Sequence, residues 1–495
     1  MLNSSLDSLT LTALLIGAVS SCGGPADSDP RPDVLLVVVD TLRSDHLSCY
    51  GYPRPTSPEI DKLAQGGVLF EDVTCQWPWT LPSMVSMFHG RYVTAYRDKL
   101  EEEVPTLPEV FQAAGYHTVG VVANCLLDEE QGFDRGFDQF DCFSCLNAEG
   151  EDDPAARTIL ELQRLVLDGA KSALTLDEDG KRKPLFLFIH AYDPHDPYHR
   201  HARYDGLLPI AEAKSEAPIE FWQETMAEYQ PERDPAEVAQ AFQRMILGRG
   251  RYDQEIRHLD EHLALLIKGL EAMGLAKDAI GAILSDHGEG LWEHLRNEKA
   301  KGLRSIPPIR VFYQIHGGNG YQPVMATPFI LWGRGVPVGQ RFSAGVENVD
   351  LFPTLLELVD IAPPAGLDGR SLVPMMRGES TKWREYVYCY GSHSISIRHV
   401  ESGYKLIIPS GRSIENKREI ELFNLNSDPD ERVNLADQEP VRLKEMIEQY
   451  SIWMKENPTS LSTSHSAHTE QNEADKARMK AKLESLGYTG LETGE

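Results

Sequence analysis

Two acidic residues stand where runs of buried-type apolar residues stop. Asp40 closes DVLLVVVD (33–40), and Asp286-His287-Gly288-Glu289 closes AIGAILSD (279–286). Carboxylate oxygens are hard donors and an imidazole nitrogen a borderline one. Two acids and a histidine at equivalent ends of two strands therefore make a cradle for a divalent cation. Taken singly, Asp40 also suits a turn or helix cap and Asp286 a helix N-cap. Their matched placement favours Asp40, Asp286 and His287 as metal ligands.

Thr80 opens TLPSM (80–84), ahead of Val85 and Phe88. That is an N-cap position with proline tolerated in the first turn. A helix N-terminus also suits an anionic group. An unassisted threonine hydroxyl is a poor nucleophile, but beside a divalent cation it ionises near neutral pH without a side-chain base. Thr80 is thus a candidate metal ligand and a candidate nucleophile towards a phosphate or sulfate ester. HAYDPHDPYH (190–199) crowds titratable groups into a proline-punctuated loop, and IHGGNG (315–320) is glycine-rich. His195 and His316 are candidates to contact a substrate oxygen or protonate a leaving group; the alternative is a pair of surface histidines. Asp193 is a candidate substrate contact and, with His195 and His316, would make a second metal site.

These residues need a rigid frame. HTVGVVA (117–123), PLFLFIHAY (184–192) and TPFILWG (327–333) repeat the apolar, β-branched pattern of strands buried on both faces. Helical patterns alternate with them, as in SPEIDKLAQGG (57–67) and the segment 251–274. Alternation predicts an α/β fold with a large, mostly parallel sheet and helices on both faces, and ligands at the carboxyl ends of its strands. After about residue 380 the segments YVYCY, SISIRHV, YKLII and IELFNL are short and alternating, predicting a small antiparallel sheet. Residues 456–474 are polar and loosely patterned, and 476–488 reads as a terminal helix.

The 495 residues carry a formal net charge of −28, which argues against nucleic acid as a partner. LTLTALLIGAVS (9–20) is too short to span a bilayer and has the form of an export h-region. VSSC (19–22) resembles a bacterial lipobox, although residues 1–8 hold no Lys or Arg. The expectation is an exported, periplasmic or cell-surface lipoprotein touching the membrane only through an N-terminal lipid anchor. Of the cysteines beyond Cys22, Cys142 and Cys145 have CxxC spacing without a second such pair, so a local pair or free thiols are expected.

The chain resembles the sulfatase family of the alkaline-phosphatase superfamily. The resemblance lies in VLLVVVDTLRSDHLSCYGY (34–52), PTSPEIDKLAQGGVLFEDV (55–73), GFDRGFDQFD (132–141), FIHAYDPHDPY (188–198), YDQEIRHLDEHL (252–263), SDHGE (285–289), VDLFPTLLELVDI (349–361), GLDGRSLVPMM (366–376) and ELFNLNSDPDERVNLA (421–436). It implies an alkaline-phosphatase-like three-layer sandwich with a C-terminal α+β subdomain. It places the metal on Asp40, Asp286 and His287, the nucleophile at position 80, and anion or leaving-group contacts at His195 and His316. The family's Cys-x-Pro-x-Arg, whose cysteine becomes formylglycine, is here Thr80 and Met84, and the second acid of the usual Asp-Asp pair is Thr41. No formylglycine is therefore expected. The segment 297–315 looks longer than the family loop. Its Lys299, Lys301, Arg304 and Arg310 suggest a flap attracting an anionic substrate, with a solvated surface loop as the alternative.

The expected organisation is a signal and lipobox (1–22), a linker (23–32), a catalytic domain (33–378), an antiparallel-sheet subdomain (379–455) and a polar tail with a helix (456–495). The expected activity is hydrolysis of sulfate or phosphate esters with one divalent cation (Ca, Mn, Mg or Zn). A transferase of phospho-headgroups and a non-catalytic binder of sulfated glycans are the alternatives.

Overall fold

The computed structural model describes residues 31–94, 99–142, 159–178, 180–212, 235–276, 278–294, 316, 319–379, 383–391, 394–409 and 420–457. The export segment, the cationic segment 297–315 with Arg304 and Arg310, Cys145 and the helix expected at 476–488 lie outside the described residues.

Eight strands form the main sheet: β1 (Val34–Val39), β2 (Gly67–Thr74), β3 (His117–Val122), β4 (Gln139–Cys142), β5 (Leu185–Ala191), β6 (Ile280–Ser285), β7 (Phe329–Gly333) and β8 (Gln340–Glu347), in the order β4-β3-β5-β1-β6-β7-β2-β8. β1 sits inside, parallel to β5 and β6, so its six residues are all buried, as a β-branched apolar run requires. Successive side chains alternate between faces. Leu35, Val37 and Val39 join a core shared with the helices Ile159–Ala170 and Pro235–Ala272. Leu36 and Val38 join the opposite core, under the helices Thr80–His89, Leu107–Ala113 and Leu351–Leu358. The result is the expected three-layer α/β arrangement.

The sheet is mostly parallel, as expected, with one antiparallel strand inside it. β7 runs antiparallel to both β6 and β2. Of the segment 57–67 read as helical, Pro58–Gln65 is helix, and β2 begins at Gly67. A Cβ on Gly67 would lie 2.0 Å from the Leu331 carbonyl oxygen, so only glycine lets β2 approach β7 here.

The four C-terminal segments form the expected antiparallel sheet of β9 (Tyr386–Tyr390), β10 (Ser394–His399), β11 (Tyr404–Pro409) and β12 (Glu421–Asn424), ordered β12-β11-β10-β9. Leu443 and Met446 of the helix Pro440–Glu456 pack on it with Ile397, Leu406 and Leu422. Among the described residues, Cys49, Cys75 and Cys389 are free thiols.

Candidate active site

The carboxyl ends of β1, β3, β5 and β6 meet at one point, with the helix Thr80–His89 on one side. Asp40 follows β1, Asn124 lies just beyond β3, His190 is on β5, and Asp286 and His287 follow β6. Asp40, Asp286, His287 and His190 are fully buried. Asp40 Oδ2 accepts from Asn124 Nδ2 at 2.8 Å. Asp286 Oδ1 accepts from the backbone N–H groups of His287 (2.8 Å) and Thr41 (3.2 Å). The other oxygens, Asp40 Oδ1 and Asp286 Oδ2, have no hydrogen-bond partner.

The imidazole of His287 is turned to complete this group. Its Nδ1–H donates to the Gly288 carbonyl at 2.8 Å, which leaves the Nε2 lone pair pointing inward. His287 Nε2 lies 3.7 Å from Asp40 Oδ1 and 3.6 Å from Asp286 Oδ2. Ligands ~2.1 Å from one ion are spaced at roughly this edge length. Burial holds the imidazole below its usual range, so the ring is neutral and able to coordinate. Two buried carboxylate oxygens and a lone pair facing one another are mutually repulsive unless a cation or a proton lies between them. Among the described residues, this is the group of three acidic or imidazole side chains whose ligand atoms converge, within 4.8 Å of one another.

Electrostatics agree. Burial, then the charge of Asp286, pushes the Asp40 carboxyl well above the usual carboxylate range. Burial also works against Asp286, but the neighbouring His287 and His190 imidazoles draw it below that range. His190 Nε2 is 3.9 Å from Asp286 Oδ2, and neither of its ring nitrogens has a hydrogen-bond partner.

Thr80 is the first residue of its helix, and Trp79 occupies the N-cap position; no side-chain cap bond is made. The N-cap alternative for Thr80 therefore fails. Its Oγ1 lies 3.3 Å from His287 Nε2. The helix is fixed from behind by Ser83, whose hydroxyl donates to the Asp286 carbonyl at 2.6 Å. Asp286 precedes no helix, so its cap alternative fails too.

His195 and His316 join the same cluster. Their rings are 5.3 Å apart, and His316 is 5.0 Å from His287. His195 Nδ1–H donates to the Asp196 carbonyl at 2.7 Å. Burial, then the neighbouring His316, lowers His195 to about 3, so the ring is neutral. His316 Nδ1 donates to Glu289 Oε1 at 2.8 Å. Asp193 is placed differently. Its Oδ2 accepts from the Ile159 N–H at 3.1 Å, at the start of the helix Ile159–Ala170. It does not converge with His195 and His316 into a second three-ligand group.

Sequence reasoning missed Asn124, His190 and Glu289. Asn124 lies just beyond β3 and His190 inside β5, and it is the strand order β3-β5-β1-β6 that brings both to Asp40 and Asp286. Thr41 holds φ at 54°, a conformation β-branched residues rarely adopt. That backbone aims its N–H at Asp286, while its carbonyl accepts from Tyr252 at 2.6 Å. The strain is local to the cluster.

Asn124 holds one candidate ligand oxygen, Asp40 Oδ2, in orientation. Asn124→Leu should weaken divalent-cation binding by ~10- to 100-fold, the usual cost of losing a partner behind a ligand, with little change in melting temperature. Isothermal titration with Mn(II) measures this directly.

A family model described as Sulfatase matches residues 32–361, the main sheet and every residue of this cluster. The chain belongs to the sulfatase family. Sulfatases are sulfuric ester hydrolases. A second model, N-sulphoglucosamine sulphohydrolase C-terminal, matches residues 319–456 and takes in the antiparallel sheet. This sulfatase is 23% identical over 469 residues to a Delta 4,5-hexuronate-2-O-sulfatase of Bacteroides thetaiotaomicron, covering 84% of this chain and 86% of the relative. It is 26% identical over 410 residues to the iduronate 2-sulfatase of Homo sapiens, covering 72% and 74%. Its fold matches a structure solved in complex with D-glucosamine-2-N,6-O-disulfate, with TM-score 0.64, 18% identity and coverage of 89% and 100%. The phosphonate monoester hydrolase of Agrobacterium radiobacter has the same fold at TM-score 0.62, 18% identity and coverage of 86% and 96%.

Proposed function

We propose that this sulfatase-family member hydrolyses a sulfate or phosphate-type ester, with Thr80 as the nucleophile and Asp40, Asp286 and His287 holding one divalent cation. The observation that supports this most strongly is the convergence of two unpartnered buried carboxylate oxygens, an inward imidazole lone pair and the Thr80 hydroxyl. A divalent cation there would favour the ionised hydroxyl and offset charge on the transferred group.

The chain's own residues do the rest. Asp40, steadied by Asn124, and Asp286, steadied by two backbone N–H groups, fix the cradle. The Thr80 hydroxyl releases its proton to water, its oxygen attacks sulfur or phosphorus, the ester bond to the alcohol breaks, and a threonyl ester remains. The departing oxygen takes a proton from the His195–His316 side of the site. His195 is neutral before substrate arrives, so it gains a proton only when an anion's charge lies beside it. Water then attacks the same sulfur or phosphorus, frees the anion and restores the hydroxyl. Threonine carries one oxygen on its Cβ, so the ester cannot collapse by elimination, and this second attack is obligatory. That requirement favours phosphoryl chemistry among the two anion classes.

The named substrates of relatives are sulfated glycan units, including a hexuronate 2-O-sulfate and D-glucosamine-2-N,6-O-disulfate. We therefore place sulfated saccharides first among sulfate esters. A phosphonate monoester is the first phosphorus candidate, because a phosphonate monoester hydrolase shares the fold. The lipobox-like VSSC supports export and lipid anchoring.

The test is a panel of aryl sulfate, sulfated disaccharide, phosphate monoester, phosphodiester and phosphonate monoester with Mn(II)-loaded protein. One class should be turned over in preference, and chelation should stop it. No turnover of any class, with glycan binding intact, would leave a binder. Product appearing on an added alcohol would make the protein a transferase.

A further inference from the structure

The short helix Gln322–Met325 lies between the C-terminal sheet and the backbone that carries His287. On one side its Pro323 carbonyl accepts from Glu289 N at 3.0 Å and its Val324 carbonyl from Gly288 N at 3.0 Å. The approach is close enough that a Cβ on Gly288 would fall 2.0 Å from the Pro323 oxygen. His287 is the next residue back along the chain. Any shift of this helix therefore moves the backbone from which that imidazole projects.

On the other side the helix is held by charges from the C-terminal subdomain. Glu431 Oε2 accepts from the Gln322 N–H at 2.7 Å, at the first turn of the helix. Glu431 Oε1 accepts from Lys405 Nζ at 2.6 Å, and Lys405 also donates to Gln322 Oε1 at 3.1 Å. Lys405 and Glu431 are completely buried. His294, on the segment that follows Glu289, stacks on Tyr321 with ring centroids 3.9 Å apart and brings Nε2 to 3.7 Å from Glu431 Oε2. Glu431 itself sits at φ 51°, a conformation that costs free energy in a non-glycine residue.

A fully buried ion pair is a poor device for stability alone, since desolvation offsets most of its attraction. Here both members grip Gln322, Glu431 at its backbone N–H and Lys405 at its side-chain oxygen, and the next two residues of the helix accept from the backbone that follows His287. We propose that Glu431, backed by Lys405, is a positioning residue for His287: the C-terminal subdomain sets the orientation of the imidazole ligand through the Gln322–Met325 helix. This rests on the reading of Asp40, Asp286 and His287 as a cation site.

Two double variants separate positioning from mere stabilisation. K405M/E431Q removes both charges but keeps an oxygen that accepts from the Gln322 N–H. K405M/E431L removes the charges and the acceptor. Mn(II) affinity is read by titration calorimetry, and apo melting temperature by circular dichroism. The positioning role predicts near-wild-type affinity for K405M/E431Q and a loss of ~10-fold or more for K405M/E431L, as for other residues that orient ligands from behind. E431D, which keeps the charge but withdraws the oxygen by one methylene, should fall between them, and it answers the question if K405M/E431L does not fold. Equal Mn(II) affinity in wild type and in whichever of K405M/E431L and E431D fold would overturn the proposal. Wild-type protein that binds no Mn(II) would overturn the cation-site reading itself, and with it this one.

Discussion

Thr80→Ala should abolish turnover of whichever ester the wild type prefers, with kcat falling ~10^4-fold or more, the scale on which enzymes lose a covalent nucleophile. The same variant should bind Mn(II) within a few-fold of wild type. The cradle is made by Asp40, Asp286 and His287, and none of their contacts to Asn124, Thr41 N–H or Gly288 involves the hydroxyl. Stability should hardly change, because Thr80 makes no cap bond to its helix. Thr80→Ser keeps the attacking oxygen and should retain activity within ~10-fold, the methyl having served only to restrict the rotamer. Rapid quench of wild-type turnover should trap a sulfo or phospho group on the peptide containing Thr80, and the alanine variant should trap none. Retained turnover in Thr80→Ala would move the chemistry to a directly attacking water and end the covalent scheme.

The parts of the site legible in the sequence were those with both a chemical type and a positional signal. Asp40 and the Asp286-His287 pair ended apolar runs, and the carboxyl ends of β1 and β6 are where a parallel sheet presents polar groups. Thr80 was legible in place but ambiguous in role, because a helix N-terminus favours both a cap and an anion site. In the structure its hydroxyl makes no cap bond and lies 3.3 Å from His287 Nε2. Asn124 and His190 carry no spacing motif. An amide after β3 and a histidine inside β5 become part of the site only through strand order, which places β5 between β3 and β1.

Strand direction was equally hidden. Phe329–Ile330–Leu331 is as apolar as any parallel core strand, since hydrophobic periodicity reports burial and not polarity of the chain. β2 was hidden differently: its Gly66-Gly67 start has the composition of a helix stop, and tertiary contact with β7 requires the same residue type. Glu289 was quoted in SDHGE, but its partnership with His316 spans 27 positions and has no local signature.

Asp40→Asn should stabilise the cation-free protein at neutral and alkaline pH while destroying cation binding. In the folded chain Asp40 is held well above the ordinary carboxylate range by burial and by Asp286. A group raised on folding contributes stability that is complete below its unfolded value and is lost as pH rises through its folded value. The chelated wild type should therefore lose stability as pH climbs from the ordinary carboxylate range upward. Asparagine cannot ionise, and its side-chain oxygen can still accept from Asn124, so the variant should lack that decline. Its advantage over chelated wild type at pH 8 should be about 1–3 kcal/mol, the scale of relieving one poorly compensated buried charge. Affinity for Mn(II) should fall by more than the ~100-fold that follows loss of a group behind a ligand, because here a ligand itself is replaced. With Mn(II) present the order reverses: wild-type stability rises with pH, since binding displaces the Asp40 proton, and the variant gains nothing. Thermal melts of both proteins from pH 5 to 9, with chelator and with Mn(II), give four curves whose slopes test the argument independently of any substrate. A chelated Asp40→Asn protein that melts below chelated wild type at pH 8 would mean that Asp40 does not face an unneutralised acid, and the two-carboxylate cradle would lose its electrostatic basis.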